Sequence, residues 1–370
     1  MELHYGHCCE LALADEPLFD IQEMVDKALR NVYANNLKGK VDPNLWNIAY
    51  KELNKAVEQS LGAVAYVDAD WALKEALMQN NAVFAAFKSH QQYNELKALI
   101  FDADGKMKSF AAFKRDSKAV IGKYNQQWLQ TEYNTTVARA RTAQQWQEFQ
   151  RSSIENIRWI PSRAAEPDPI HRGYWNTVLP KNHEFWIKNF PGNRYNCKCD
   201  WELTNDEVTK LPEVDIRPQA GLKENPGMSQ KIFGKDHPYE ASASKKMKQE
   251  VPKEATRLER KLIQEWAKQQ LKGKLYDLNG GKAQLHMSGI KEILNQPHQD
   301  YSLKNRVLFA LDEIVKEAEF IRTDLNTKDN PLVKQFHYYK IKVAGKDAFL
   351  VVRELANGEQ QIYSIVDKLQ

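Results

Sequence analysis

Two thiols separated by one residue, Cys197 and Cys199, follow His171, His183 and Asp168 within a short stretch of chain. Thiolates and an imidazole are the donor set that suits Zn²⁺, and a carboxylate can join them. The spacing is not that of a regular zinc finger, because Cys-x-Cys leaves a single residue between the sulfurs. His171, Cys197 and Cys199 with either His183 or Asp168 would complete a structural zinc site. The same residues also fit a compact loop knot of buried, mutually hydrogen-bonded thiols and histidines. The other two cysteines, Cys8 and Cys9, are adjacent. Neither pair suggests a disulfide framework, so folding in a reducing cytoplasm is expected.

The elements that must position this cluster are of two kinds. Residues 159–201 carry Pro161, Pro167, Pro169, Pro180 and Pro191 with Gly173 and Gly192, which excludes helix over most of the stretch. Its many aromatics predict irregular backbone pinned by ring packing. Before it, residues 117–151 show one long helical period through Val120, Tyr124, Trp128, Thr131, Thr135, Ala138, Thr142, Trp146 and Phe149. Further helices are expected over 18–38, 45–61 and 68–88, the last with Asp68 as its cap. A turn is expected at Asp102 to Gly105.

Beyond the cluster, residues 212–240 are rich in Pro and Gly and read as a linker or extended arm. Residues 241–274 hold ten Lys or Arg against four Glu, with Leu258, Leu262 and Trp266 at helical spacing. That segment reads as a solvated basic helix or a nucleic-acid contact. Residues 302–321 read as one amphipathic helix. Strands are expected at 335–343, 347–354 and 360–366, joined at Gly345 and at the Asn357–Gly358 hairpin signal. The expected class is a mainly α N-terminal domain with an irregular Cys/His/aromatic-rich region, then a small α+β domain with an antiparallel sheet. The expected division is 1–210, a 211–274 linker and basic helix, and 275–370.

Composition bounds the rest. The chain has 370 residues, 42 % hydrophobic and 28 % charged, which suits two or three folded domains. A formal charge of +4 permits nucleic-acid contact without arguing for it. The first twenty residues do not read as a secretory leader, and no apolar run of membrane-spanning length occurs.

The segment Tyr124 to Trp201 resembles the phage Mu-type head morphogenesis family. The residues that carry the resemblance are Tyr133, Thr135 and Ala138 and later Trp146 and Phe149 on the long helix, then Asp168-Pro169-Ile170-His171, Glu184-Phe185-Trp186, and Phe190-Pro191-Gly192-Asn193 leading to Cys197-Lys198-Cys199. The family's order and separations are kept. Lys198 replaces the usual arginine between the cysteines, Phe190 the first of two prolines, and Gly192-Asn193 inverts the usual order. The resemblance spans roughly residues 15–205, and is tightest over 118–201. It implies a minor head protein, made in a bacterial cytoplasm and carried in the virion. Such a protein partners portal and head proteins in head assembly or DNA delivery.

The region 283–370 more loosely resembles phage-associated nucleases of the barnase, EndoU, colicin and RelE type, through His286-Met287-Ser288-Gly289-Ile290, the following helix and the closing strands. That resemblance implies a metal-independent RNase, toxin-like, with RNA or DNA as contact and an immunity protein as partner. Such cleavage needs a base, an acid and cations around the developing phosphorane. His286, His337, Lys340, Arg353, Tyr363 and Ser364 have the chemistry to share these tasks. Strand alternation separates His337 from Lys340, so His286 with Arg353 is the preferred pair. The alternative is a purely structural minor capsid protein whose last domain binds the portal, DNA or another virion protein.

Overall fold

The computed structural model describes residues 21–34, 40–213, 218–279, 281–327 and 330–369. Cys8, Cys9 and both ends of the helix expected over 18–38 lie outside the described residues. The chain divides into two compact units, Met1–Val64 with Asn80–Ala255, and Ala65–Gln79 with Thr256–Gln370. Helices α1 (Ile21–Tyr33), α2 (Pro43–Leu61), α3 (Trp71–Ala98), α4 (Phe110–Asp116), α5 (Lys118–Gly122) and α6 (Trp128–Arg151) build the N-terminal region. It is therefore largely helical, as its apolar periodicity requires.

Local chemistry explains most of these boundaries. Asp42 caps α2 by accepting the Asn44 and Leu45 amides, with Pro43 at the first helical position. Asp68 does not cap α3 with its side chain. Its carboxylate takes the Ala65 amide, and its backbone carbonyl accepts from Trp71. The long helix expected over 117–151 is helical throughout but not uniformly α. A π-helical turn at Lys123–Gln127 separates α5 from α6. There Tyr124 is fully buried and donates to Glu95 Oε1 at 2.6 Å, while Lys123 pairs with Glu95 Oε2 at 2.5 Å. Anchoring both side chains to one carboxylate is met by the wider turn.

The irregular stretch contains a small sheet that its prolines had masked. Strands β1 (Asn156–Ile160), β2 (Val178–Pro180) and β3 (Asp200–Thr204) form an antiparallel sheet in the order β2-β1-β3, with Trp159 opposite Trp201. Short helices α7 (Pro169–Arg172) and α8 (Phe185–Lys188) sit between the strands. Trp146 and Phe149 of α6 join Ile157, Trp159, Tyr174, Leu179, Phe185, Trp186, Phe190 and Trp201 in one buried aromatic core.

The segment expected as a linker is packed. Helices α9 (Pro226–Ser229) and α10 (Pro238–Ala241) interrupt it, and Leu222, Ile232, Phe233 and Tyr239 are buried. Two devices hold it. The guanidinium of Arg139, buried at the middle of α6, donates to the carbonyls of Gly192, Leu222, Glu224 and Lys231. Tyr239 donates to Glu132 at 2.8 Å, beside the buried Lys88–Glu132 pair at 2.5 Å. The boundary between the two compact units falls inside α11 (Lys245–Gln270).

The C-terminal region is a mixed α+β domain. Its strands are β4 (Leu275–Leu278), β5 (Gly281–Leu285), β6 (Glu319–Leu325), β7 (Val333–Val343), β8 (Lys346–Leu355) and β9 (Gln360–Val366). They form one sheet in the order β4-β5-β9-β8-β7-β6, antiparallel except for the parallel pair β5–β9. Helix α12 (Met287–Asn295) packs against β9 so closely that a Cβ on Gly289 would strike the Ile362 carbonyl. The single helix expected over 302–321 is instead α13 (Tyr301–Arg306), a 3₁₀ turn and α14 (Leu311–Glu317), and β6 begins at Glu319. Arg306 explains the break: it is buried and pairs with Glu75 and, at 2.8 Å, with Glu259.

Candidate functional site

The metal-capable cluster is assembled from two segments, the short helix α7 and the turn that leads into β3. Pro169 opens α7, and Asp168 Oδ1 caps it by accepting the Ile170 amide at 2.9 Å and the His171 amide at 3.3 Å. The other Asp168 oxygen accepts from Arg194 Nε at 2.5 Å. Both oxygens are thereby committed, and Asp168 positions His171 rather than offering a ligand. His171, 1 % exposed, stands edge-on to Trp159. Its Nδ1 lies 3.3 Å from Cys197 Sγ and 3.6 Å from Cys199 Sγ. All three donor atoms lie within 4.8 Å of one another.

Asn193 decides which imidazole nitrogen faces the sulfurs. Its amide nitrogen donates to the Lys188 carbonyl at 3.1 Å, so its oxygen must be the atom 2.6 Å from His171 Nε2. Nε2 therefore carries the proton in the neutral ring, and the Nδ1 lone pair points at the thiols. Around a tetrahedral zinc, bond lengths of about 2.3 Å to sulfur and 2.0 Å to nitrogen put N and S about 3.5 Å apart. The two separations bracket that value, so these three side chains could hold a metal ion. Burial lowers the pKa of His171, but the Cys197 and Asn193 contacts and the nearby Asp168 charge outweigh it and leave it raised. The hydrogen bond to Cys199 and burial push the Cys197 thiol up. The same contact with Cys197, then Trp159, Trp175 and Ser162, holds Cys199 below its ordinary value.

His183 is not brought to this cluster. Its Nδ1 accepts the Phe185 amide at 3.1 Å, beside a surface groove lined also by Lys188, Asn189 and Leu211. Sequence reasoning did not pick out Arg139, and it named Asn193 only within the resemblance, not as a partner of His171. The Gly192-Asn193 pair was the available signal. A polar residue between core aromatics and a Cys-x-Cys invites a partner on the cluster.

The residues considered for RNA cleavage separate into groups. His286 Nε2 lies 3.1 Å from Glu359 Oε1, Gln361 Nε2 donates to that same oxygen at 2.7 Å, and Gln361 Oε1 accepts from Arg353 Nη2 at 2.6 Å. Arg353 also reaches Ser288 Oγ at 3.2 Å and stacks over the Tyr363 ring at 4.9 Å. His286, Arg353 and Tyr363 thus share one polar network. Its hydrogen bonds to Gln361 and His286 hold Glu359 below the usual carboxylate range.

His337 does not belong to that network. The register pairs Phe336 with Arg353 and His337 with Val352, which puts His337 on the opposite face. Its nitrogens are engaged by Glu354 at 3.0 Å and Thr323 at 2.8 Å. Lys334 and Gln335, with His337, draw Glu354 down to about 2. Lys340 pairs with Asp347 at 3.0 Å, four residues along the strand from Phe336, roughly 13 Å away. Ser364 is buried on β9.

Residues 254–363 match the model of a family described as large polyvalent protein-associated domain 3. No curated protein and no solved structure matches the chain. Among the described residues, no helix is long and apolar enough to cross a membrane.

Proposed function

We propose that the chain is a phage head-assembly protein of the Mu type, acting beside the portal, in which His171, Cys197 and Cys199 hold a structural Zn²⁺. One observation carries the reading. The separate sequence elements of the resemblance meet at one place, where Trp146 and Phe149 of α6, Phe185-Trp186 and the Cys197–Cys199 turn converge on a single aromatic core. A metal there would staple α7 to the Cys197–Cys199 turn. The protein is expected to co-purify with procapsids or portal complexes when expressed beside its own head genes. Its absence from particles and assembly intermediates alike would overturn the assignment.

The polar network of the C-terminal region favours a second activity, metal-independent RNA cleavage, with the virion as carrier and an immunity protein as its restraint. What supports it is the link from His286 through Glu359 and Gln361 to Arg353. Histidine titrates near neutrality and suits proton transfer, whereas the arginine fork suits a phosphate. The intact protein is expected to cut RNA in EDTA, and His286→Ala or Arg353→Ala should slow it on the order of 100-fold. No cleavage by the wild type would leave this region an anchoring domain.

A further inference from the structure

The six-stranded sheet of the second unit has two edges, and they differ. At one end β4 is four residues long. At the other β6 is seven residues long, and among the described residues no strand pairs with its outer side. An edge left open in this way offers unpaired N–H and C=O groups to another chain, and proteins ordinarily blunt it with Lys, Pro or a bulge. β6 reads Glu-Phe-Ile-Arg-Thr-Asp-Leu, without Lys or Pro. Its register with β7 shifts between Phe320 and Arg322, near the start of the strand, and is regular from Arg322 to Leu325. Five of its seven residues are exposed, among them Phe320 at 40 %, Ile321 at 39 % and Leu325 at 73 %. Single exposed apolar residues are ordinary, but three on one open edge strand make a surface that gains by being covered.

The charges on β6 select what covers it. Arg322 stands opposite Tyr338 and Asp324 opposite Phe336, so both lie on one face of the sheet. They pair with each other at 2.9 Å, and the guanidinium lies over the Tyr338 ring at 5.5 Å. A second β6 laid antiparallel along the open edge has few registers to choose from. With Thr323 at the two-fold centre, Arg322 of each copy stands opposite Asp324 of the other, and Ile321 opposite Leu325. Centred on Arg322 or on Asp324, like charges meet at the axis. Centred between Thr323 and either neighbour, each charge meets an uncharged side chain. A parallel in-register pair sets like against like. Opposite charges directly across strands stabilise and like charges destabilise, so β6 is complementary to itself in one register. The pair within each copy is kept, because a guanidinium has further donors and a carboxylate a second oxygen. The charges then alternate in sign around the axis.

We propose that two copies of this chain associate through β6, edge to edge about a two-fold axis at Thr323, so that their six-stranded sheets run on as one. The contact is isologous and uses up the open edge, so assembly stops at two. It lies in the second unit and depends on neither the metal cluster nor RNA cleavage.

The test is sedimentation velocity of the full chain over a wide range of concentration. The wild type should pass from monomer to dimer as concentration rises. Arg322→Asp sets Asp against Asp at both cross-strand pairs, and Asp324→Arg sets Arg against Arg. Each variant alone should weaken the dimer by at least about tenfold. An equimolar mixture of the two variants should recover it, because a mixed dimer carries opposite signs at both pairs. A folding defect cannot produce that recovery, since one chain repairs the other only through contact. A wild type that stays monomeric at every concentration would overturn the proposal. So would dimers of unchanged strength in both single variants, a mixture no more dimeric than its components, or growth beyond two copies.

Discussion

Asn193 does for the cluster what no ligand does for itself. By accepting from His171 Nε2 and donating to the Lys188 carbonyl, it fixes ring orientation and tautomer together. Partners of this kind are worth 10- to 100-fold in metal affinity. Asn193→Ala should therefore weaken zinc by about that factor in a chelator competition, whereas Cys197→Ser should abolish stoichiometric zinc and lower Tm. Arg139 is the other decisive side chain, since its guanidinium serves four carbonyls from two loops. Arg139→Met should cost at least about 3 kcal/mol in urea unfolding, because those acceptors lose a charged donor inside the protein. His237 supplies a pH dependence. Its Nδ1 accepts the Tyr239 amide, and its ring lies against Phe84 and Tyr239. Burial, with Lys88 nearby, takes its pKa from 6.5 down to about 3. Between those values the unfolded chain binds the proton and the folded chain does not, so stability rises with pH across that window and is lost as pH falls. His237→Asn keeps an acceptor for the amide and removes the proton site. Its Tm should vary less between pH 6.5 and 4 than that of the wild type.

Elements are placed by close backbone approach as much as by apolar stripes. Gly227 on α9 meets the Trp146 side chain of α6, and Gly289 on α12 meets the Ile362 carbonyl of β9. Both glycines are helical, and both hold positions where any side chain forces two elements apart. Gly289→Ala should destabilise the second unit by about 1–3 kcal/mol, read as a lower urea midpoint with unchanged slope. A midpoint equal to the wild type would mean that α12 can shift along β9 without loss. The break between α13 and α14 has a comparable origin. Arg306 is held by Glu75 and Glu259, and the chain tightens into a 3₁₀ turn immediately after it.

At the scale of the molecule, the two compact units carry different dependences. The Cys/His cluster and its aromatic core lie wholly in the first unit, and the mixed sheet lies wholly in the second. A chelator should then lower the thermal transition seen through Trp159, Trp186 and Trp201, and leave the transition of the sheet unchanged. Far-ultraviolet circular dichroism and tryptophan fluorescence, followed together with and without EDTA, would separate the two. A common shift in both signals would mean that the units unfold as one.

Much of this architecture was legible from residue order alone. Apolar periodicity located α2, α3 and α6, because a helix that buries one stripe must repeat it every 3.6 residues. Alternation and Asn357–Gly358 located β7, β8 and β9 for the corresponding reason in strands. The donor types at His171, Cys197 and Cys199 marked a group that could hold a metal before any distance was known. Pairings between distant segments were not legible. The sheet β2-β1-β3 was hidden because its strands are three to five residues long and separated by proline-rich chain, so neither period has room to show. The exclusion of His183 and Asp168 from the cluster was likewise tertiary. One is turned to its own helix start and the other is consumed by a cap and by Arg194, and both outcomes depend on partners that sequence spacing does not specify. Composition marked 212–240 as a linker, but Arg139 and Glu132 decided otherwise, because a buried charge must find its partners wherever the fold supplies them.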